Sequence, residues 1–111
     1  MVIATRVLKL RQPTGHIDIP IRIFAPQRQG DDWMCHFEID WPDEMVALDA
    51  GGVDSVQAME LALRMIGAFI YGSDHHASGK LMWEAPGQGY GFPVANSIRD
   101  MLVGDDKKYF G

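Results

Sequence analysis

A single cysteine, Cys35, stands among 111 residues. No internal disulfide can staple such a chain, and a reducing compartment is its simplest setting. Long hydrophobic runs are also missing. The longest, Met65 to Tyr71, falls far short of the roughly 20 residues a membrane-spanning helix needs. The opening MVIATRVLKLR lacks the basic-then-apolar order of a secretory signal. Positive charge is scarce, ten Lys and Arg against fifteen Asp and Glu for a net charge of −5. That balance argues against binding a phosphate backbone, which needs a basic face. No five like charges occur in a row, no internal repeat appears and no linker divides the chain. The expectation is one cytoplasmic domain over residues 1–111, with neither a nucleic-acid nor a membrane partner. What is present is core material: 47% hydrophobic residues, with three Trp and five Phe.

The stretch Gly51 to Gly72, GGVDSVQAMELALRMIGAFIYG, organises the rest. It predicts one long helix, capped by Asp54 with Gln57 closing a capping box, stapled by Val53 onto Ala58 and stopped by a left-handed Gly72. At 100° per residue, Gln57, Glu60, Arg64, Gly67 and Tyr71 form a narrow polar stripe. The remaining apolar arc covers roughly two thirds of the circumference, far more than one sheet face can hide. One flank, through Met59, Leu63, Ile66 and Ile70, is assigned to a sheet. The other, through Leu61, Met65, Ala68 and Phe69, needs a second cover. Within the chain only the stretch around Val94, Ile98, Met101 and Leu102 is available for that; otherwise the flank predicts a homodimer.

The sheet is read from period-two patterns. Val2–Arg11 is a first strand whose inward set is either Ile3, Thr5 and Val7 or Ala4, Leu8 and Leu10. Ile17, Ile19, Ile21 and Ile23 alternate without a break in a second, and Pro20 predicts an edge or a bulge there. In WMCHFEIDW, Trp33, Cys35, Phe37, Ile39 and Trp41 share the inward face. Its nine residues span about 30 Å, matching a helix of about 27 Å. Met45–Asp49 and Lys80–Glu84 add shorter strands, Pro26–Asp32 and Ala85–Pro93 are loops, and Asn96–Val103 is a short helix or tail. The fold class is α+β: an antiparallel meander of four or five strands with one long helix on one face.

Each chemical candidate is weighed against a plainer use. Cys35 on the inward face is a packing residue, its thiol pushed away from reactivity by burial. His36 is next to it in sequence but faces the opposite side of the sheet, so the two make no catalytic pair. Asp74, His75 and His76 offer ligand types without ligand spacing; they suit a solvated turn, and no metal or cofactor is expected. Gly87–Phe92 resembles a nucleotide loop, but Pro93 stands where the required helix would begin, and no Walker lysine follows. Arg22, His36, Glu38 and Asp40 share the outer sheet face and form the one candidate polar binding surface.

Three motifs point to a family. They are W-x-C-x-F-x-I at Trp33–Ile39, A-G-G-V-D-S-x-Q-A-x-x-L-A-L at Ala50–Leu63, and L-x-W followed by G-F-P between Leu81 and Pro93. On these the chain resembles a small bacterial domain family of unknown function with a G-V-D-x-x-Q-A helix start, over roughly Ile3 to Pro93. The resemblance implies no activity. The functional expectation is a non-enzymatic binding or assembly protein. Its rivals are an immunity-type protein that neutralises a basic partner, and a small-ligand enzyme using His36 with Glu38 or Asp40.

Overall fold

The strand WMCHFEIDW is the spine of the sheet. The computed structural model describes residues 1–111. In it the strands are β1 (Val2–Gln12), β2 (Gly15–Phe24), β3 (Gln27–Gln29), β4 (Asp32–Asp40), β5 (Met45–Gly52) and β6 (Leu81–Met82). The helices are α1 (Ser55–Tyr71), α2 (Asp74–Ala77) and α3 (Gly104–Phe110), with a 3-10 segment at Asn96–Met101 before the last. All strand pairs are antiparallel. β4 pairs with β5 on one side from Trp33↔Gly52 to Asp40↔Met45. On its other side it meets β3 at Asp32–Met34 and β2 at Phe37–Ile39. β1 then follows β2, and β6 closes the far side. The fold is therefore α+β, an antiparallel sheet of six strands with one main helix packed on it.

The inward faces run as alternation demands. Ile19, Ile21 and Ile23 of β2 and Cys35, Phe37 and Ile39 of β4 are buried, as are Leu8 and Leu10 of β1. That settles the first strand in favour of the second of its two parities, although Ala4 itself is exposed. Burying each large apolar side chain contributes about 1.5–3 kcal/mol, so this face dominates stability. β2 is an interior strand, contrary to the edge position Pro20 suggested, and no bulge falls there. The proline is tolerated because pairing to β4 begins only at Ile21. At Pro20 itself β2 has a neighbour on the β1 side alone, opposite Val7.

α1 packs over β5 and β4. Asp54 caps it, accepting from the N–H of Gln57 at 2.8 Å. The box closes one residue early: the Gln57 side chain accepts from the N–H of Val53 at 2.7 Å. Val53 is exposed and staples nothing. Gly72 ends the helix in a right-handed conformation, φ −85°, its N–H donating to the Ala68 carbonyl at 2.9 Å and the Ser73 N–H donating to that of Ile70 at 3.1 Å. No left-handed stop is needed because Ser73 immediately starts α2, its hydroxyl accepting from the N–H of His76.

The buried face of α1 is Ala58, Ala62, Ile66, Gly67, Ile70 and Tyr71. Gly67 and Tyr71 thus leave the polar stripe to which periodicity assigned them. A Cβ on Gly67 would run into the carbonyl of Pro93, which shows how closely the C-terminal stretch rests on the helix. Val94 and Leu102 are buried there. The C-terminal segment covers the Gly67–Tyr71 side, and Leu61 and Phe69 on the other flank remain 41% and 37% exposed.

Candidate functional site

β2, β4 and β5 bring the four outer-face residues together. Arg22 and Glu38 are register partners, with Arg22 3.6 Å from Glu38 and 3.7 Å from Asp40. His36 uses both ring nitrogens, Nε2 on Glu38 at 3.1 Å and Nδ1 on Asp49 at 2.7 Å. Asp49 was not foreseen; its register opposite His36 depends on β5, whose sequence alternates poorly. Burial alone would lower the His36 pKa, but hydrogen bonds and charge from Asp49 and Glu38 outweigh it and raise the pKa above its ordinary value. The ring of Phe24 packs edge-on to His36, centroids 5.0 Å apart. Beside them opens a cleft of about 290 Å³ between Phe24, Arg28, Met34 and Asp49. The network is half-exposed, and its carboxylates Glu38, Asp40 and Asp49 outnumber its cations, so it stays net negative.

A second cluster lies on the inner side, and the sequence reading missed it. Asp106 of α3 is 1% exposed. It accepts from the Tyr71 hydroxyl at 2.5 Å and from the N–H groups of Tyr90 and Gly91, both at 2.7 Å. Behind the loop, the Arg6 guanidinium donates to the carbonyls of Tyr90 at 3.3 Å and Gly91 at 2.9 Å. Arg6 is itself sandwiched by rings, 3.9 Å from the centroid of Trp83 and 4.9 Å from that of Phe92. The 90–91 peptide therefore points its carbonyl at a cation and its N–H at an anion. Tyr71 is raised above its ordinary pKa by burial and by its bond to Asp106. Tyr90 is pushed up to about 12 by burial and the same carboxylate.

The glycine loop is thus an anion cradle, though for a carboxylate and not a nucleotide. Gly87, Gly89 and Gly91 all have φ near +75° to +87°, where side chains are strained. A Cβ on Gly89 would collide with the Asp106 carboxylate. Three glycines at alternate positions were the visible signal; the anion they serve lies fifteen residues beyond Gly91.

Cys35 is fully buried, its pKa raised by burial, with Sγ 3.4 Å from the Phe24 carbonyl oxygen. The two adjacent histidines diverge. His75 stacks on Trp41, centroids 4.9 Å apart, and reaches Asp43 at 3.2 Å. His76 turns the other way, Nδ1 on the Tyr90 hydroxyl at 2.5 Å, its pKa lowered by burial. No three His, Cys, Asp or Glu side chains converge in metal-holding geometry.

Sheet, helix and these two polar clusters define a small α+β domain of the antiparallel-sheet-and-helix class. The chain belongs to the family described as Domain of unknown function (DUF6968), whose model matches residues 4–94. That span runs from Ala4 within β1 to Val94 and excludes the 3-10 segment and α3. Comparison with curated proteins finds no match, and neither does comparison with solved structures. No helix is long and apolar enough to cross a membrane.

Proposed function

We propose that this domain is a non-enzymatic assembly module that pairs with a second copy of itself through the free edge of β5. The observation that carries the reading is that edge. β5 pairs only with β4, over all eight of its residues, and leaves its other side without a strand. Proteins ordinarily blunt such an edge with lysine, proline, a bulge or a covering loop. The sequence MVALDAGG has no lysine and no proline, and its register with β4 is continuous. Alongside it runs a half-covered row of α1 at i, i+4 spacing: Leu61 beside Gly51, then Met65, partly buried against the core, then Phe69 beside Val46. Leu48, opposite Phe37 and so on the inner face, is 41% exposed between them.

A twofold antiparallel pairing about Leu48 sets Leu48 against its counterpart, Ala47 against Asp49 and Val46 against Ala50. The only charge on the strand, Asp49, then avoids its own copy, since like charges directly opposite destabilise a pair. Both helix rows meet over the joined edges, the self-complementary arrangement a C2 interface requires. The outer faces become one surface carrying two copies of the Arg22, His36, Glu38 and Asp40 patch, which we assign to a protein partner. A cytoplasmic setting suits the lone buried thiol. The enzyme reading has less support, because both nitrogens of His36 are committed to carboxylates and Cys35 faces away. The immunity reading has less as well, because Glu38 and Asp40 already face Arg22.

Light scattering at micromolar concentration is expected to give twice the 12.4 kDa chain mass. Leu48→Lys and Leu61→Lys, at exposed positions, are expected to give folded monomers. A monomeric wild type would end the proposal. A dimer that survives both substitutions would place the interface elsewhere.

A further inference from the structure

We propose that Arg6, Tyr71, Tyr90 and Gly91 form a carboxylate-binding site for an aspartate-bearing peptide segment, and that this chain fills it with its own displaceable C-terminal segment through Asp106. The receiving side is complete without the tail. One hydroxyl and two N–H groups converge on one carboxylate, Tyr71 and Tyr90 on its Oδ2 and Gly91 on its Oδ1, and the missing Cβ of Gly89 leaves room for the ligand's carboxyl group. Successive N–H groups presented by a glycine-rich turn make an anion-binding concavity. Arg6 holds the loop from behind by two carbonyls, so the donors are fixed before the anion arrives. An empty site would leave several buried donors unsatisfied, a penalty that makes an anion there strongly favoured.

The ligand side is of a different character. All four receiving residues lie inside the family match at 4–94, and Asp106 lies outside it. Asp106 is the only buried residue of α3. Beyond it the segment is held by Leu102, by Ile98 and Val103 half-buried against the core, by Gly104 seated on the Gly87–Gln88 backbone, by the Asp105 N–H on the Gln88 carbonyl at 2.9 Å, and by the weak 3.4 Å bond from the Val103 N–H to the Tyr71 oxygen. Tyr109 is 69% exposed and Lys107 and Lys108 are exposed too. Between Ala95 and Gly111 only Leu102 and Asp106 are buried, and a segment with so few buried side chains belongs to the low-stability end of a structure, where local release precedes global unfolding. Once it leaves, the cradle offers the same chemistry to any peptide that presents an aspartate.

The test is chemical rescue in the full chain. Asp106→Ala removes the carboxylate, and sodium acetate is the probe, compared with sodium chloride at equal ionic strength. The variant is expected to melt below wild type and to recover saturably with acetate, whereas wild type responds alike to both salts. Adding Tyr71→Phe is expected to raise the acetate concentration for half-recovery about tenfold, the worth of one hydrogen bond to a charged group. Identical behaviour in acetate and chloride would mean that Asp106 is only a structural anchor, and would overturn the site. If Asp106→Ala is unfolded in chloride, recovery of helical circular dichroism in acetate is the readout, with the same two outcomes. Displacement is tested on the unaltered protein by hydrogen exchange. The amides of Tyr90 and Gly91 are expected to exchange at least tenfold faster than those of Ile21 and Phe37; exchange of all four together, only through global unfolding, would overturn it.

Discussion

Gly67 reverses the usual rule for glycine in a helix. Replacing it with alanine ordinarily stabilises an exposed helix interior by about 1 kcal/mol. Here the added methyl would enter the space of the Pro93 carbonyl and press on Val94, and neither backbone can yield without moving the C-terminal stretch. Gly67→Ala is therefore expected to lower the urea midpoint by an amount equivalent to 1–3 kcal/mol, roughly the range for overpacking. A raised midpoint would show that Pro93 does not rest on the helix. The same residue shows why parts of the site were illegible. Periodicity sorts side chains by polarity, and it placed Gly67 and Tyr71 in one stripe with Glu60 and Arg64. Their burial follows from what lies across from them, Pro93 and Asp106, and a local pattern carries no information about a contact partner 26 or 35 residues away.

Among the elements, α1 was the most legible because both its start and its amphipathicity are written in consecutive residues. Asp54 accepts the Gln57 N–H as its position before Ser55 demands, and Asp54→Ala is expected to cost about 1 kcal/mol. Urea unfolding should show a lower midpoint with an unchanged slope, since the surface exposed on unfolding is the same. An unmoved midpoint would place the helix start elsewhere. β2 and β4 were equally clear, one face buried and the other wet. β3 escaped because three polar residues, Gln27–Gln29, pair at an edge through backbone alone. The sequence pattern ends β5 at Asp49, because Ala50, Gly51 and Gly52 do not look like strand residues, whereas the strand runs to Gly52. Gly52 is required there, since a Cβ would strike the Ala58 N–H end of α1. Of the candidate polar patch, Arg22, His36, Glu38 and Asp40 shared a face by parity alone, and their contacts agree. Asp49 and the Asp106 cradle needed the register of β5 and the course of the tail, which only the folded chain supplies.

At the scale of the whole molecule, two histidines set opposite pH dependences on stability from opposite faces of the sheet. His76 is held neutral beside Tyr90, burial lowering its pKa below the unfolded value near 6.5. As pH falls through 6.5 the unfolded chain gains a proton there before the native state does, so this residue contributes stability above 6.5 and loses it toward acid. His36 has the reverse sign. Its pKa is raised: burial works against its protonation, but bonds to Asp49 and Glu38 prevail. Its contribution is fully present below 6.5 and is lost as pH rises through the raised value. In the wild-type protein the two slopes oppose each other between about pH 5 and 8. Removing one should expose the other. His36→Gln is expected to melt at progressively lower temperature as pH falls from 7 to 5, whereas His76→Gln is expected to lose stability as pH rises from 6 to 8. Melting temperatures across that range, in one buffer series at constant ionic strength, decide the matter. Slopes of the same sign in both variants would mean that one of the two imidazoles does not make the contacts described.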